Sequence, residues 1–162
     1  MERVSKENYY LDIAQTVSER STCLRRRFGA IIVKNDSIVS TGYNGAPRGR
    51  QNCSDLGICY RESLGIPRGE RYELCRSIHA EANAIIAAAR ETMLDSTLYM
   101  VCTDPASGEI LSGTCSCMMC KRMILNAGIR KVVIRDSKTD YREIMTDTWI
   151  ENDDSLSGKF GY

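Results

Sequence analysis

His79-Ala80-Glu81 and Cys117-Met118-Met119-Cys120 are the two stretches of this 162-residue chain whose residue types and spacing can do chemistry. Each opens a segment that reads as a helix. Cysteines at i and i+3 put both sulfurs on one side of a first helical turn, where the positive end of the helix dipole favours thiolate over thiol. With His79 they offer one nitrogen and two sulfurs. Three protein ligands leave a tetrahedral Zn2+ one position for water, the arrangement of a catalytic site and not of a closed structural one. Glu81, two residues from the histidine, then lies near that water without ligating, where a carboxylate can take a proton and return it to a leaving group. Two thiolates cancel the formal charge of the ion, so the metal acidifies its water less than in a three-histidine site, and a base must help. Each half alone has a plainer explanation: a buried, satisfied histidine, or a redox C-x-x-C pair. Their joint occurrence, each half at a helix start and followed by a strand, points to the metal.

The elements that must position these groups can be read along the chain. From Ser5 to Arg20, Tyr9, Ile13 and Val17 fall four apart, one face of a helix. Gly29 to Val33 and Ile38 to Tyr43 read as strands around the turn Lys34-Asn35-Asp36-Ser37, a hairpin. Residues 44–70 are rich in Gly and Pro and nearly aperiodic, longer than a loop stays without a functional or metal-held reason. His79 to Arg90 predicts a buried helix, Leu98 to Cys102 a strand, Thr103 to Thr114 a loop or extra hairpin, Cys117 to Asn126 a helix stopped by Gly128, and Lys131 to Arg135 a last strand. Helices alternating with strands imply an α/β sheet covered by helices, parallel beyond the opening hairpin. From Asp136 the chain turns polar, with Trp149 and Ile150 as its apolar anchors before a loose tail. The expectation is a single domain over 1–162, with a core of about 5–135 and a polar C-terminal extension at 136–162.

Lys and Arg number 22 against 21 Asp and Glu, a net charge of +1, which does not indicate a polyanion-binding surface; a small ligand fits better than polymeric nucleic acid. No apolar run has the length of a signal or membrane segment, so the expected location is the cytoplasm. That compartment keeps thiols reduced, and the eight cysteines therefore read as metal ligands or buried residues. Cys23, Cys53, Cys59 and Cys75 could close a second, structural zinc site made of four sulfurs, pinning the 44–70 loop; they can equally be small buried apolar residues. Cys102 reads as core. Asn44 could meet a hydroxyl of a ligand or simply form an Asn-Gly turn, and Arg25, Arg26, Arg27 and Arg48 border the site, where Arg26 and Arg27 could grip an anionic group although three consecutive arginines more often make a solvated surface.

His79-Ala80-Glu81-Ala82-Asn83-Ala84-Ile85, Gly42-Tyr43-Asn44-Gly45-Ala46-Pro47 and the C-x-x-C together resemble the deoxycytidylate (dCMP) deaminase family of the cytidine deaminase superfamily, over about residues 5 to 135. The zinc motif marks the superfamily, and the Gly42–Gly45 stretch marks the dCMP branch. The resemblance implies a three-layer α-β-α sandwich of the cytidine deaminase type, with a central mixed sheet and helices on both faces. It implies hydrolysis of dCMP to dUMP and ammonia, feeding dUMP and dTTP synthesis. Activated water would attack C4, Glu81 would carry the proton to N3 and then to the amine, and the backbone at Ala80 and Ser116 would contact the base. Asn44 resembles the superfamily's ligand for the 3′-hydroxyl, and some relatives hold a second zinc near the positions of Cys23 and Cys53. Gly42, Tyr43, Asn44 and Gly45 resemble an effector site where dCTP with Mg2+ activates and dTTP inhibits. A homo-oligomer, with a hexamer favoured and Arg90 at a subunit boundary, is also implied. The chain departs from the family at Ser116, where proline is usual and a serine can cap the helix, and at Cys115 with the 103–114 stretch. The rival readings are another zinc deaminase, acting on a nucleoside, a free base or tRNA, and a non-catalytic zinc-held module in DNA uptake. Against the last, a purely structural site has no use for Glu81.

Overall fold

The computed structural model describes residues 1–153 and 156–157. Helix α1 (Lys6–Ser18) begins where the Ser5 side chain accepts the Asn8 N–H at 3.2 Å, the usual way to satisfy a first-turn donor. Strands β1 (Arg27–Lys34) and β2 (Ser37–Tyr43) pair antiparallel around Asn35 and Asp36, both at positive φ, the geometry that two-residue hairpin turns demand. Then follow α2 (Cys53–Leu56), α3 (Tyr60–Ser63), a 3-10 turn at Tyr72–Leu74, α4 (Ala80–Ile86), α5 (Arg90–Met93), β3 (Thr97–Thr103), α6 (Met118–Ala127), β4 (Lys131–Arg135), β5 (Tyr141–Met145) and α7 (Asp147–Glu151).

The sheet order is β2-β1-β3-β4-β5, and β3–β4 is its one parallel pair among the described residues. Side chains alternate across this slab. Ala30, Ile32, Leu98, Met100, Val132 and Ile134 point to one face, where Ala80 and Ala84 of α4 and Ile124 and Ala127 of α6 cover them. Ile31, Val33, Tyr99, Val101 and Val133 point to the other, covered by Tyr10, Leu11 and Ala14 of α1. Strands buried on both sides read as near-continuous apolar runs without polar alternation, as these do. The three-layer α/β sandwich with a mixed sheet is therefore present. Two glycines set its thickness: a Cβ on Gly29 would strike the backbone of α1 at Ala14 and Ser18, and one on Gly42 the backbone of α4 at Ala80 and Ala84.

Several expectations need correction. The sheet is antiparallel at β1–β3 and β4–β5, so parallel pairing is confined to β3–β4. The 79–90 helix is two helices, because Ala89 is extended (ψ 144) and restarts the chain as α5. The 44–70 stretch contains the two short helices α2 and α3. The polar extension supplies a fifth strand whose burial alternates weakly, which is why composition hid it. Trp149 packs on the core, but Ile150 is 69% exposed and anchors nothing. The expected looseness of the tail falls, for residues 154–155 and 158–162, outside the described residues. Among the described residues no helix is long and apolar enough to cross a membrane.

Candidate metal centre and its pocket

His79 and Cys117 are the N-cap residues of α4 and α6, with extended ψ of 156 and 167, and Cys120 lies on the first turn of α6. The two helices pack side by side on one sheet face, so their starts bring three donor atoms together. The Cys117 and Cys120 sulfurs each lie 3.5 Å from His79 Nδ1, and all three ligand atoms are within 4.8 Å of one another. Tetrahedral zinc with Zn–S of about 2.3 Å and Zn–N of about 2.0 Å sets sulfur and nitrogen roughly 3.5 Å apart, so the donor set fits that ion without rearrangement. The protonation pattern fits as well. A hydrogen bond from the Cys120 thiol, assisted by the imidazole, holds Cys117 down to about 4, while the same bond and burial push Cys120 up. Burial opposes charge on His79, yet the sulfurs of Cys117 and Cys75 outweigh it and raise the imidazole to about 10. A thiolate beside groups that still hold protons is a set a divalent cation can complete by displacing those protons.

Glu81, on the first turn of α4, is buried beside this cluster, and burial raises its carboxyl above the ordinary range against the pull of His79. A carboxyl group kept from water and poised to gain a proton is suited to general acid and base work. His79 is steadied from the other side by Tyr72, whose ring meets the imidazole edge-on with centroids 5.2 Å apart. Tyr72 in turn lies 4.3 Å beneath the Arg61 guanidinium. Arg61 is buried and donates to the carbonyls of Glu70 (2.6 and 3.1 Å) and Pro67 (2.7 Å), a brace for the loop.

A cavity of about 120 Å3 opens onto His79, Glu81 and Cys117. Its wall includes Asn44 and Arg26 as expected, and also Arg25, Phe28, Arg61, Arg68, Tyr72 and Cys115, of which only Arg25 and Cys115 had a sequence signal. Arg61 and Arg68 were missed because they sit in the aperiodic 44–70 stretch, whose unusual length was the one signal available, and Tyr72 because it opens the short 3-10 turn just after it. Arg27, the other arginine expected to meet the substrate, does not line this cavity, and its Nε is buried without a partner. Arg48 is likewise absent from the wall.

Asn44 is a stitch. Its Oδ1 accepts from Ser21 Oγ (2.5 Å) and the Phe28 N–H (2.8 Å), and its Nδ2 donates to Arg26 O at 2.9 Å, which leaves one N–H of the amide for a ligand. Of its neighbours in the expected effector stretch, Gly42 is pressed against α4, Gly45 exchanges backbone bonds with Ile78, and Tyr43 alone presents an exposed side chain. Ser116 does not cap α6: Cys117 is the cap residue, no side chain caps it, and the buried Ser116 hydroxyl lies beside the Glu81 carboxyl, where it favours the charged form. Ala80 is buried at the first position of α4. Cys102 is core, with burial pushing its thiol up to about 12.

Among the described residues, His79, Cys117 and Cys120 are the one group at mutual ligating distance. Cys23, Cys53, Cys59 and Cys75 do not close to that distance. Three of them line the cavity beside the cluster, and the Cys53 thiol is raised by burial and then by the sulfurs of Cys23 and Cys75, so the four are neighbours.

Residues 4–136 match the family described as the cytidine and deoxycytidylate deaminase zinc-binding region. The deoxycytidylate deaminase of Mycobacterium phage D29 is 36% identical over 138 residues, 82% of this chain and 96% of that protein. That of Schizosaccharomyces pombe is 33% identical over 135 residues, 83% of this chain and 38% of the yeast protein, so the chain spans under half of that relative. The ComE operon protein 2 of Bacillus subtilis is 33% identical over 142 residues, 88% of this chain and 64% of that protein. The crystal structure of the dCMP deaminase from cyanophage S-TIM5 in complex with dCMP and dUMP superposes with a TM-score of 0.54 at 29% identity, covering 83% of this chain and 85% of that one. A histidine and two cysteines at the starts of two packed helices, with a buried glutamate beside them, thus sit inside a matched region that spans most of the molecule, and the chain belongs to the cytidine and deoxycytidylate deaminase family.

Proposed function

We propose that this protein is a zinc-dependent hydrolase that converts dCMP to dUMP and ammonia. The observation that carries the reading is the buried Glu81 beside a three-donor zinc set that leaves a fourth position open. His79, Cys117 and Cys120 would hold the ion, which when bound lowers the pKa of water and supplies a nucleophile near neutral pH. Glu81 would take one proton from water and deliver it to N3 of the cytosine ring as the water oxygen bonds to C4; it would then take the second proton, from the new C4 hydroxyl, and give it to the amine as the C4–N bond breaks. The backbone at Ala80 and Ser116, at the starts of the two helices, flanks the base. The remaining N–H of Asn44 meets a sugar hydroxyl. Arg26, with Arg25 and Arg68 on the same wall, supplies charge for a monophosphate. The test is incubation with dCMP, cytidine, cytosine and a tRNA substrate, beside Glu81→Gln. Ammonia release from dCMP, lowered by about 10^2- to 10^4-fold in Glu81→Gln with zinc retained, is the expected result. Turnover of cytidine in preference to dCMP overturns the substrate.

The reading extends to a structural zinc at Cys23, Cys53, Cys59 and Cys75, supported by their adjacency and by the length of loop they would fasten. Metal analysis is expected to give two zincs per chain, and a stoichiometry of one removes this site. It extends also to regulation at Gly42, Tyr43, Asn44 and Gly45 by dCTP with Mg2+ and by dTTP, which would meet the loop through Tyr43, and to a homo-oligomer, with a hexamer favoured. The exposed Arg90 borders an open groove with Met93, Met119 and Met123, a surface suited to a second copy. Adding each nucleotide to the dCMP assay, and measuring mass in solution, tests these points. The cytoplasm is the proposed location.

A further inference from the structure

Residues 112–116 lead directly into the first sulfur ligand, yet their own side chains do little to place them. The hydroxyl of Thr114 is buried without a partner, that of Ser116 lies beside the Glu81 carboxyl and not against its own stretch of backbone, and no side chain caps α6. The preceding turn is self-contained: Asp104 Oδ1 accepts the N–H groups of Ala106 and Ser107 at 2.8 Å, and the Leu111 N–H returns to Cys102 O at 2.9 Å. What holds 112–114 comes from beyond the last strand that the sequence revealed. Asp136 follows β4 and accepts the Gly113 N–H at 2.8 Å and Ser112 Oγ at 3.2 Å through one oxygen, Oδ1. Arg142, opposite Ile134 in the β4–β5 ladder, pairs with both oxygens of Asp136 (2.6 and 3.1 Å) and donates to Thr114 O at 2.5 Å. Burial opposes the charge on Asp136, but Arg142 and the Gly113 N–H hold its carboxyl below the usual range, so the pair stays ionised near neutral pH.

We propose that Asp136 and Arg142 are positioning residues for the zinc centre: their two-pronged ion pair fixes the backbone of 112–114 and thereby the place of the Cys117 sulfur and of the Ser116 backbone. The proposal rests on the zinc reading above. It gives one physical role to the two parts of the chain that the family motifs leave unexplained, the stretch before the C-x-x-C and the extension after β4. Groups that orient metal ligands from outside the ligand set commonly contribute about 10- to 100-fold to metal affinity. The clamp differs from a general brace of the sheet edge, because a second ion pair, Lys131 with Glu143 at 3.5 Å, ties the same two strands without touching 112–116.

The test is zinc affinity by chelator competition, read beside the thermal midpoint of the metal-stripped protein, for the wild type, Arg142→Met, Arg142→Lys, Asp136→Asn and Glu143→Gln. Arg142→Met and Asp136→Asn are expected to weaken zinc binding about 10-fold or more. Arg142→Lys keeps the charge but not the fork, and falls between them and the wild type. Glu143→Gln leaves affinity unchanged. Should Arg142→Met fail to fold, the nearly isosteric Asp136→Asn carries the test. Wild-type affinity in Asp136→Asn, or an equal loss in Glu143→Gln, overturns the proposal. A wild-type protein that takes up no zinc through His79, Cys117 and Cys120 overturns the underlying reading instead, so the two failures are distinguishable.

Discussion

Cys117 and Cys120 sit at the start of a ten-residue helix packed on the sheet, whereas Cys23, Cys53, Cys59 and Cys75 are spread over loops and four-residue helices, three of them along one wall of the same cavity. The first pair and His79 are at ligating distance, and the second set is adjacent without closing. Ligands on regular elements are placed by packing that exists whether or not a metal is present, because helix geometry fixes residues three apart on one side. Ligands on irregular chain have no such scaffold. Were the four cysteines to take up the proposed second zinc, metal binding and local ordering would be one event, and the metal's binding energy would become folding energy.

Substitution can separate the two behaviours. Cys120→Ser is expected to abolish activity and remove one zinc while leaving the thermal midpoint nearly unchanged, as measured by ammonia release, metal content and calorimetry. If the proposed second zinc is held at Cys23, Cys53, Cys59 and Cys75, Cys53→Ser is expected to remove it and lower the midpoint by several degrees, with new proteolytic cuts between residues 45 and 75, because a structural zinc contributes folding energy outright. If Cys120→Ser destabilised the fold more than Cys53→Ser, the contrast between placed and gathered ligands would be lost. The smallest effect is expected at Asn44→Ala, which deletes three hydrogen bonds that tether Ser21, Arg26 and Phe28 to the end of β2. A cost of about 1–3 kcal/mol in denaturant melts, with a raised KM for dCMP, would sharpen the comparison by showing how the arginine-bearing segment is kept over the cavity.

How much was legible in the sequence follows the same division. β1, β3 and β4 are buried on both faces and read as continuous runs with no charged residue between Phe28 and Val33, Leu98 and Cys102, and Val132 and Ile134, and α6 ends at Gly128, which adopts φ 80. His79, Glu81, Cys117 and Cys120 were legible because helix periodicity turns spacing into geometry. β5 was not, since an edge strand with one solvated face carries Arg142 and Glu143 and looks like tail. Tyr72 and Arg61 were not either: their place beside His79 is set by the path of a loop, for which spacing in sequence carries no distance. Ser116 shows the converse error. A serine before a helix suggests a cap, but here the cap position belongs to Cys117 and the hydroxyl is turned elsewhere.

The match to the family stops at residue 136, and β5 begins at Tyr141. A trimmed protein ending at that boundary would keep all the groups that do chemistry, yet its outermost ribbon, Lys131 to Arg135, would lose the neighbour that now accepts and donates along its whole length. A bare ribbon of Val132, Val133 and Ile134 is an invitation to self-association. The smallest useful fragment is therefore longer than the smallest recognisable one.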